Sequence, residues 1–168
     1  MSNYIFTLAT QEDADKVMDF YHSLIGTPFC TWALDYPDEK VINHDIHNKS
    51  LYLLMENDEI ISAAAAGVHD ELDGLKWSAK NLCDVSRFGV SHSKQHQGVG
   101  KQMLYKIIAA VKEKGFDGIR MIVRKGNLPA LALYEKNGFV RCGETSLYVH
   151  EQDLEFHCYE MIFKKSQN

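Results

Sequence analysis

No two cysteines of this chain stand at C-x-x-C spacing: Cys30, Cys83, Cys142 and Cys158 lie far apart, and free thiols in a reducing cytosol are the simplest reading. The opening Met1-Ser2-Asn3-Tyr4 lacks the basic and then apolar pattern of a secretion signal, which agrees with a cytoplasmic location. Long apolar runs are missing too. A stretch such as Ile60 to Val68 is about half the length a membrane helix needs, so a membrane protein is excluded. There is no low-complexity tract and no block of like charge, hence no disordered tail of any length is expected. Nor is there an excess of positive charge. The 18 basic residues stand against 23 acidic ones for a net charge of −5, which weighs against a nucleic-acid binder, whose affinity comes from neutralising phosphates. A cationic substrate is favoured, as a matter of association and not of fold.

What is there reads as an ordinary globular chain. Hydrophobic residues make up 45% and charged residues 24% of 168; one domain over 1–168 of that size buries roughly two thirds of its unfolded surface and needs neither metal nor disulfide to fold. Tyr4 to Leu8 reads as a strand. Thr10 and Asp13 form a capping-box-like start to a helix through Ile25 with Ala14, Val17, Met18 and Tyr21 on one face. Pro37-Asp38-Glu39 suits the first turn of a second helix to about His47. Ser50 to Met55 and Glu59 to Val68 read as an antiparallel pair joined at Glu56-Asn57-Asp58. His69 to Lys80 is a loop and Leu82 to Val90 another strand.

From Gly98 to Lys114 the positions Val99, Met103, Ile107 and Val111 recur every four residues beside Leu104 and Ile108, the stripe of a helix packed on a sheet, and Gly115 stops it. Gly118 to Val123 reads as a buried strand, Pro129 to Asn137 as a helix ended by Gly138, and Phe139 to Thr145 with Glu155 to Phe163 as closing strands.

The chemistry centres on Gln95-His96-Gln97-Gly98-Val99-Gly100-Lys101, between a strand and an amphipathic helix. Glycines at a helix start let backbone N–H groups approach an anion, and the helix dipole favours negative charge there. This suits a pyrophosphate. No Gly-Lys-Ser/Thr closes it as in a Walker loop, and a Gln opens it where a dinucleotide fingerprint has Gly. Downstream stand Asn127, Ala130, Tyr134 and Gly138-Phe139, in the order Asn-x-x-Ala-x-x-x-Tyr-x-x-x-Gly-Phe; upstream stands Arg87-Phe88-Gly89-Val90.

Taken together these residues resemble the GNAT superfamily of acetyl-CoA-dependent N-acetyltransferases, closely over about Leu82 to Val140 and elsewhere by order of elements. The resemblance implies a mixed α/β (α+β) fold: a mostly antiparallel, twisted sheet of about seven strands with about four helices on both faces, splayed between the fourth and fifth strands. It implies acetyl-CoA as cosubstrate, with the pantetheine arm in the splay beside Phe88, Gly89 and Val90, whose backbone pairs with it, the amide near Val90 polarising the thioester carbonyl. Backbone groups of Gln95, His96, Gln97, Gly98, Val99, Gly100 and Lys101, with the Gln95 side chain, would hold the pyrophosphate; Asn127 would reach the pantetheine arm, with Ala130 in the same motif.

Tyr134 falls where the family places a general acid for the departing thiolate; the alternative is a helix tyrosine packed on the sheet. Asp84 falls where some members carry a glutamate base on the fourth strand. One methylene shorter, it suits action through water, and the alternative is a solvated strand aspartate. Trp32 and Tyr36 lie in the segment that walls the acceptor pocket in the proteins this one resembles.

His44 and His47 share a helix face, but nothing of matching spacing completes a metal site, so none is expected. Cys83 and Cys142 lie in apolar strand patterns and read as core. The expected reaction is direct attack of an amine, on a small molecule or a peptide, upon acetyl-CoA. The competing reading is a non-catalytic acyl-CoA-binding or dimerising module of the same fold. The C-terminal strands, Leu147 to Phe163, are candidates for a homodimer edge unless the chain covers them itself.

Overall fold

Local signals account for most of the elements in the computed structural model, which describes residues 3–165. Strand β1 is Ile5–Leu8. The Asp13 carboxylate then accepts from the Thr10 N–H at 2.8 Å and from its hydroxyl at 3.2 Å, and a 3-10 turn over Gln11–Asp13 leads into α1, Ala14–Leu24. Asp38 caps α2, Glu39–His47, by accepting from the Val41 N–H at 2.9 Å; Pro37 therefore precedes the cap and does not sit in the first turn. Strands β2, Leu51–Glu56, and β3, Glu59–Gly67, meet at Asn57 and Asp58, both with positive φ (+49° and +63°). That is the geometry of a two-residue hairpin turn, which short polar side chains tolerate.

The remaining elements are β4, Leu82–Val90; α3, Val99–Glu113; β5, Gly118–Arg124; α4, Leu128–Lys136; β6, Val140–Val149; and β7, Gln152–Ile162. Gly115 and Gly138 follow α3 and α4 at φ +89° and +94°, the left-handed termination that glycine allows without steric cost. Within α3, Val99, Met103, Leu104, Ile107 and Val111 are all buried, as the four-residue stripe predicts. The closing strands run further than the sequence suggests. They reach His150 and Glu151, two positive-φ residues (+49° and +61°) that make a turn without glycine or asparagine.

Among the described residues the seven strands form one mixed sheet in the order β1-β2-β3-β4-β5-β7-β6. The pairs β1–β2, β2–β3, β5–β7 and β6–β7 are antiparallel. β4 and β5 are parallel, registered from Leu82↔Gly118 to Asp84↔Arg120 although both strands continue, which fits the expected splay.

By packing the chain divides into two compact units, one holding the residues up to Gly67 with Val85–Ile107, the other Val68–Asp84 with the residues from Ile108 on. The core of the first joins Val17, Phe20, Tyr21 and Leu24 of α1 to Ile42 and Ile46 of α2 and to Leu51, Leu53 and Ala63 of the sheet. In β3 the run Ser62 to Ala66 is buried throughout, and α1 packs on this strand. In the second unit Met121 and Val123 of β5, Leu131 and Tyr134 of α4, Phe139, and Cys158 and Tyr159 of β7 are buried.

Candidate functional site

In the first unit, the end of β4 and the start of α3 are built for backbone recognition. The Ser62 hydroxyl donates to Gly89 O at 2.7 Å and the Ser91 N–H donates to Ile61 O at 2.8 Å, so positions 89 and 91 face β3. Strand alternation then turns the N–H and C=O of Val90 away from β3. The Val90 carbonyl accepts from the Gln95 side-chain amide at 3.2 Å. In this structure Gln95 thus closes the turn after β4. The Gln97 amide donates to Ser93 O at 2.9 Å, tightening the same turn.

His96 and Gly98 both have positive φ (+64° and +79°), and a Cβ placed on Gly98 would meet nothing within 4 Å. The chain thus curls through two left-handed residues immediately before α3, with open space beside Gly98. The first turn of α3 holds no acid; instead it holds Lys101, whose Nζ lies 5.5 Å from the centre of the Tyr105 ring. A cation at a helix N-terminus opposes the dipole, an arrangement suited to an anion from outside the chain. Both the open curl and this charge fit a pyrophosphate.

The strand itself is kinked. Arg87, in the middle of β4, has φ +51°, a left-handed conformation that costs an L-residue free energy and persists only where the surroundings enforce it. Here its Nε and Nη2 each donate to a different oxygen of Asp45 at 2.8 Å. Its Nη1 donates to the Tyr36 hydroxyl at 3.2 Å, and its carbonyl accepts from the Tyr21 hydroxyl at 2.8 Å. Asp45 is 1% exposed, so this is a buried, bidentate pair.

Trp32 stands edge-on to Tyr21, ring centres 5.2 Å apart. It also packs on Gly89, where a Cβ would come within 2.7 Å of Leu24 Cδ1 and 3.2 Å of the indole. Gly89 is therefore glycine because helix and indole approach the strand closely. Tyr36 is exposed apart from its bond to Arg87. Phe88 is half-buried on β4, and Ser86 Oγ, buried on the same strand, has no hydrogen-bond partner.

In the second unit, Asp84 is 2% exposed, so it is not a solvated strand carboxylate. It pairs with Arg120: Nε donates to Oδ1 in a short bond, and Nη2 donates to Oδ2 at 3.4 Å. The His69 N–H donates to the same Oδ2 at 3.1 Å. Arg120 also donates to His69 O at 2.9 Å and to Asp73 at 2.7 Å, under the ring of Trp77. Ser78 donates through its N–H and its hydroxyl to Glu160, the residue opposite Arg120 on β7. Three neighbouring strands, β4, β5 and β7, thereby fasten the loop from His69 to Lys80. Burial lifts the Asp84 carboxyl above its ordinary value, against the opposing hydrogen bond and charge of Arg120. A lifted carboxylate is a better proton acceptor.

Asn127 caps α4, its Oδ1 accepting from the Ala130 N–H at 3.4 Å. Tyr134 is buried on α4 with its ring edge-on to Phe139 at 5.5 Å and tilted to Tyr159 at 6.4 Å. Burial pushes its phenol above the ordinary value, which keeps it protonated across the working pH range.

Cys83 and Cys142 are poor nucleophiles. Burial pushes Cys83 up to about 12 and Cys142 up to about 11, so thiolate is scarce at neutral pH. Among the described residues no group of three or more His, Cys, Asp or Glu is disposed to hold a metal. His44 Nε2 is engaged by the Asn48 amide at 2.9 Å. Sequence reasoning missed Asp45, Tyr21 and Arg120 as organising groups. The signal was present for two of them: a lone acid between Ile42 and Ile46, and a lone base within the apolar run Gly118 to Val123, each a charge that must find a partner if its segment is buried.

Comparison with known proteins agrees with this architecture. The ribosomal-protein-S18-alanine N-acetyltransferase from Escherichia coli is similar at TM-score 0.75 and 17% identity, over 98% of this chain and 97% of that one. A ribosomal-protein-alanine N-acetyltransferase from Brucella melitensis is similar at TM-score 0.76 and 16% identity, over 95% and 99%. An N-acetyltransferase from Staphylococcus aureus Mu50 reaches 21% identity at TM-score 0.73, over 97% and 100%. At these identities the likeness is one of fold. In sequence, the model of the Acetyltransferase (GNAT) family matches residues 17–139, from within α1 to the residue after Gly138. With that match spanning most of its length, the chain belongs to the Acetyltransferase (GNAT) family.

Proposed function

We propose that this chain moves an acetyl group from acetyl-CoA to an amine of a small molecule or peptide by direct attack. The observation that carries the reading is the start of α3, where the chain turns through left-handed His96 and Gly98, open space lies beside Gly98, and Lys101 occupies a first turn without acids. Bound there, acetyl-CoA would supply an activated thioester. The backbone of Gln95 to Lys101 holds its pyrophosphate, and Asn127 with Ala130 at the start of α4 meets the pantetheine arm. The N–H of Val90, turned away from β3, donates to the thioester carbonyl, and the backbone of Phe88 to Val90 pairs with the pantetheine amides.

An ammonium has no lone pair, so the acceptor must lose a proton. Asp84, lifted by burial, takes it through water, since its own oxygens are engaged by Arg120 and His69. Tyr134 donates its proton to the departing sulfur. A thiolate formed in equally dry surroundings is raised in basicity along with the phenol, which keeps that transfer within reach. Trp32 and Tyr36 line the acceptor side. Two of the similar proteins are named as ribosomal-protein-alanine N-acetyltransferases, which supports an amine acceptor.

The test is calorimetric titration of acetyl-CoA into the wild type, Gly98→Ala and Gly98→Glu. Both substitutions strain a backbone at φ +79°, but only Glu adds a repelling charge at the anion site. Binding weakened far more in Gly98→Glu than in Gly98→Ala supports the cradle, and release of thiol with an amine panel then supports transfer. Binding without transfer to any amine would assign the chain to the acyl-CoA-binding alternative. No binding by folded wild type would remove the reading.

A further inference from the structure

β4 carries an anomaly that the acetyl-transfer reading does not itself use. A left-handed, non-glycine residue in the middle of a strand is enforced, at Arg87, by three hydrogen bonds from two other elements: two from its guanidinium to Asp45 of α2, and one from Tyr21 of α1 to its carbonyl. A bidentate guanidinium–carboxylate fork fixes orientation as well as distance, and a carbonyl already bonded to Tyr21 cannot turn to relax the kink. The kink lies immediately before Phe88, Gly89 and Val90. A single left-handed residue redirects every N–H and C=O that follows it in the strand. The fourth bond, from Nη1 to the exposed Tyr36 hydroxyl at 3.2 Å, ties the segment between α1 and α2 to the same guanidinium.

We propose that Arg87 is a positioning residue: clamped by Asp45 and Tyr21, it sets the direction in which the backbone of Phe88 to Val90 is presented to the thioester, and through Tyr36 it fixes the segment beside the acceptor to that setting. The inference rests on the acetyl-transfer reading. It adds that the oxyanion-side geometry of β4 is imposed from α1 and α2 by side chains, not by the sheet ladder alone. Asp45 and Tyr21 act through Arg87 and touch no substrate.

The test uses the full chain with Arg87→Lys, which keeps the charge beside Asp45 but loses the fork and the bond to Tyr36. Tyr21→Phe, which removes only the hydroxyl bonded to Arg87 O, is the companion in case the first folds poorly. Each is assayed for CoA release with an amine the wild type turns over, at a temperature well below every melting point. A displaced backbone donor acts in the transition state, so kcat should fall by about tenfold or more; KM for acetyl-CoA should rise by less than kcat falls, since the pantetheine pairing of Phe88 to Val90 shifts while the pyrophosphate cradle is untouched. Amide exchange at Gly89 and Val90 should quicken alongside. A merely structural tie would lower the melting temperature and leave kcat of the folded enzyme unchanged; that result in both variants overturns the proposal. If the wild type neither binds acetyl-CoA nor releases CoA with any amine, the acetyl-transfer reading falls first and this inference with it, an outcome distinct from active wild type with unaffected variants.

Discussion

Replacing Asp84 with Asn separates its structural task from its chemical one. Asp84 and Arg120 are 2% and 7% exposed, and removing one member of a buried pair costs about 3–5 kcal/mol because the other is left uncompensated. Arg120 keeps the Asp73 carboxylate and the His69 carbonyl, so the low end, about 3 kcal/mol, is expected. At about 2–4 °C per kcal/mol for a chain of this size, the melting temperature should drop by about 6–12 °C. Arg120→Gln is the matched control, since it breaks the same pair from the other side and should lose a similar amount.

The two variants part company in kinetics. Without its carboxylate, Asp84→Asn should lose about a hundredfold or more in kcat at every pH. Arg120→Gln retains the base, but loss of the opposing positive charge lets burial lift the carboxyl still further. Its acidic limb should therefore move to higher pH while the plateau survives. Linkage has a definite sign as well. A carboxyl titrating higher in the folded than in the unfolded state stabilises the fold fully below its unfolded value, and that contribution is lost as pH rises through the folded one. The loss should be larger in Arg120→Gln. The assays are differential scanning calorimetry and pH-resolved CoA release below both melting points. Wild-type kcat in Asp84→Asn, together with the expected fall in melting temperature, would refute the base assignment and leave water alone to accept the proton.

Tyr134→Phe should lower kcat by about a hundredfold with acetyl-CoA affinity nearly unchanged. In the wild type no alkaline fall in kcat should arise from this phenol below the ordinary tyrosine range, because burial raises it. A pH–rate comparison of the two proteins checks both statements. Gly89→Ala places a methyl 2.7 Å from Leu24 Cδ1 and 3.2 Å from the Trp32 ring. Overpacking of that kind should cost about 1–3 kcal/mol, read as a lowered urea midpoint.

Much of the fold was legible because its signals are local. The stripe of α3, the glycines that end α3 and α4 and the strand β4 all lie where periodicity and turn chemistry put them. The curl before α3 was legible for the same reason: it is made by consecutive residues. The rest depends on partners distant in sequence. Asp84 meets Arg120 across 36 positions and Arg87 meets Asp45 across 42; no spacing rule connects them, and only the parallel pairing of β4 with β5 explains the first. The reach of the last hairpin was hidden because His150 and Glu151 adopt left-handed φ without the residues that normally announce it.

The run Ser62-Ala63-Ala64-Ala65-Ala66 leaves β3 almost no freedom to vary. Successive side chains point to opposite faces of a strand, yet all five of these are buried, so each side of β3 is filled by groups no larger than a hydroxymethyl. Any substitution but glycine or another small residue adds volume to a filled layer, and glycine weakens the strand by its entropy. Drift in this protein should therefore concentrate on strands such as β6, whose Val140, Leu147, Tyr148 and Val149 are exposed, while the alanine strand stays nearly fixed in composition even where its residues touch no substrate.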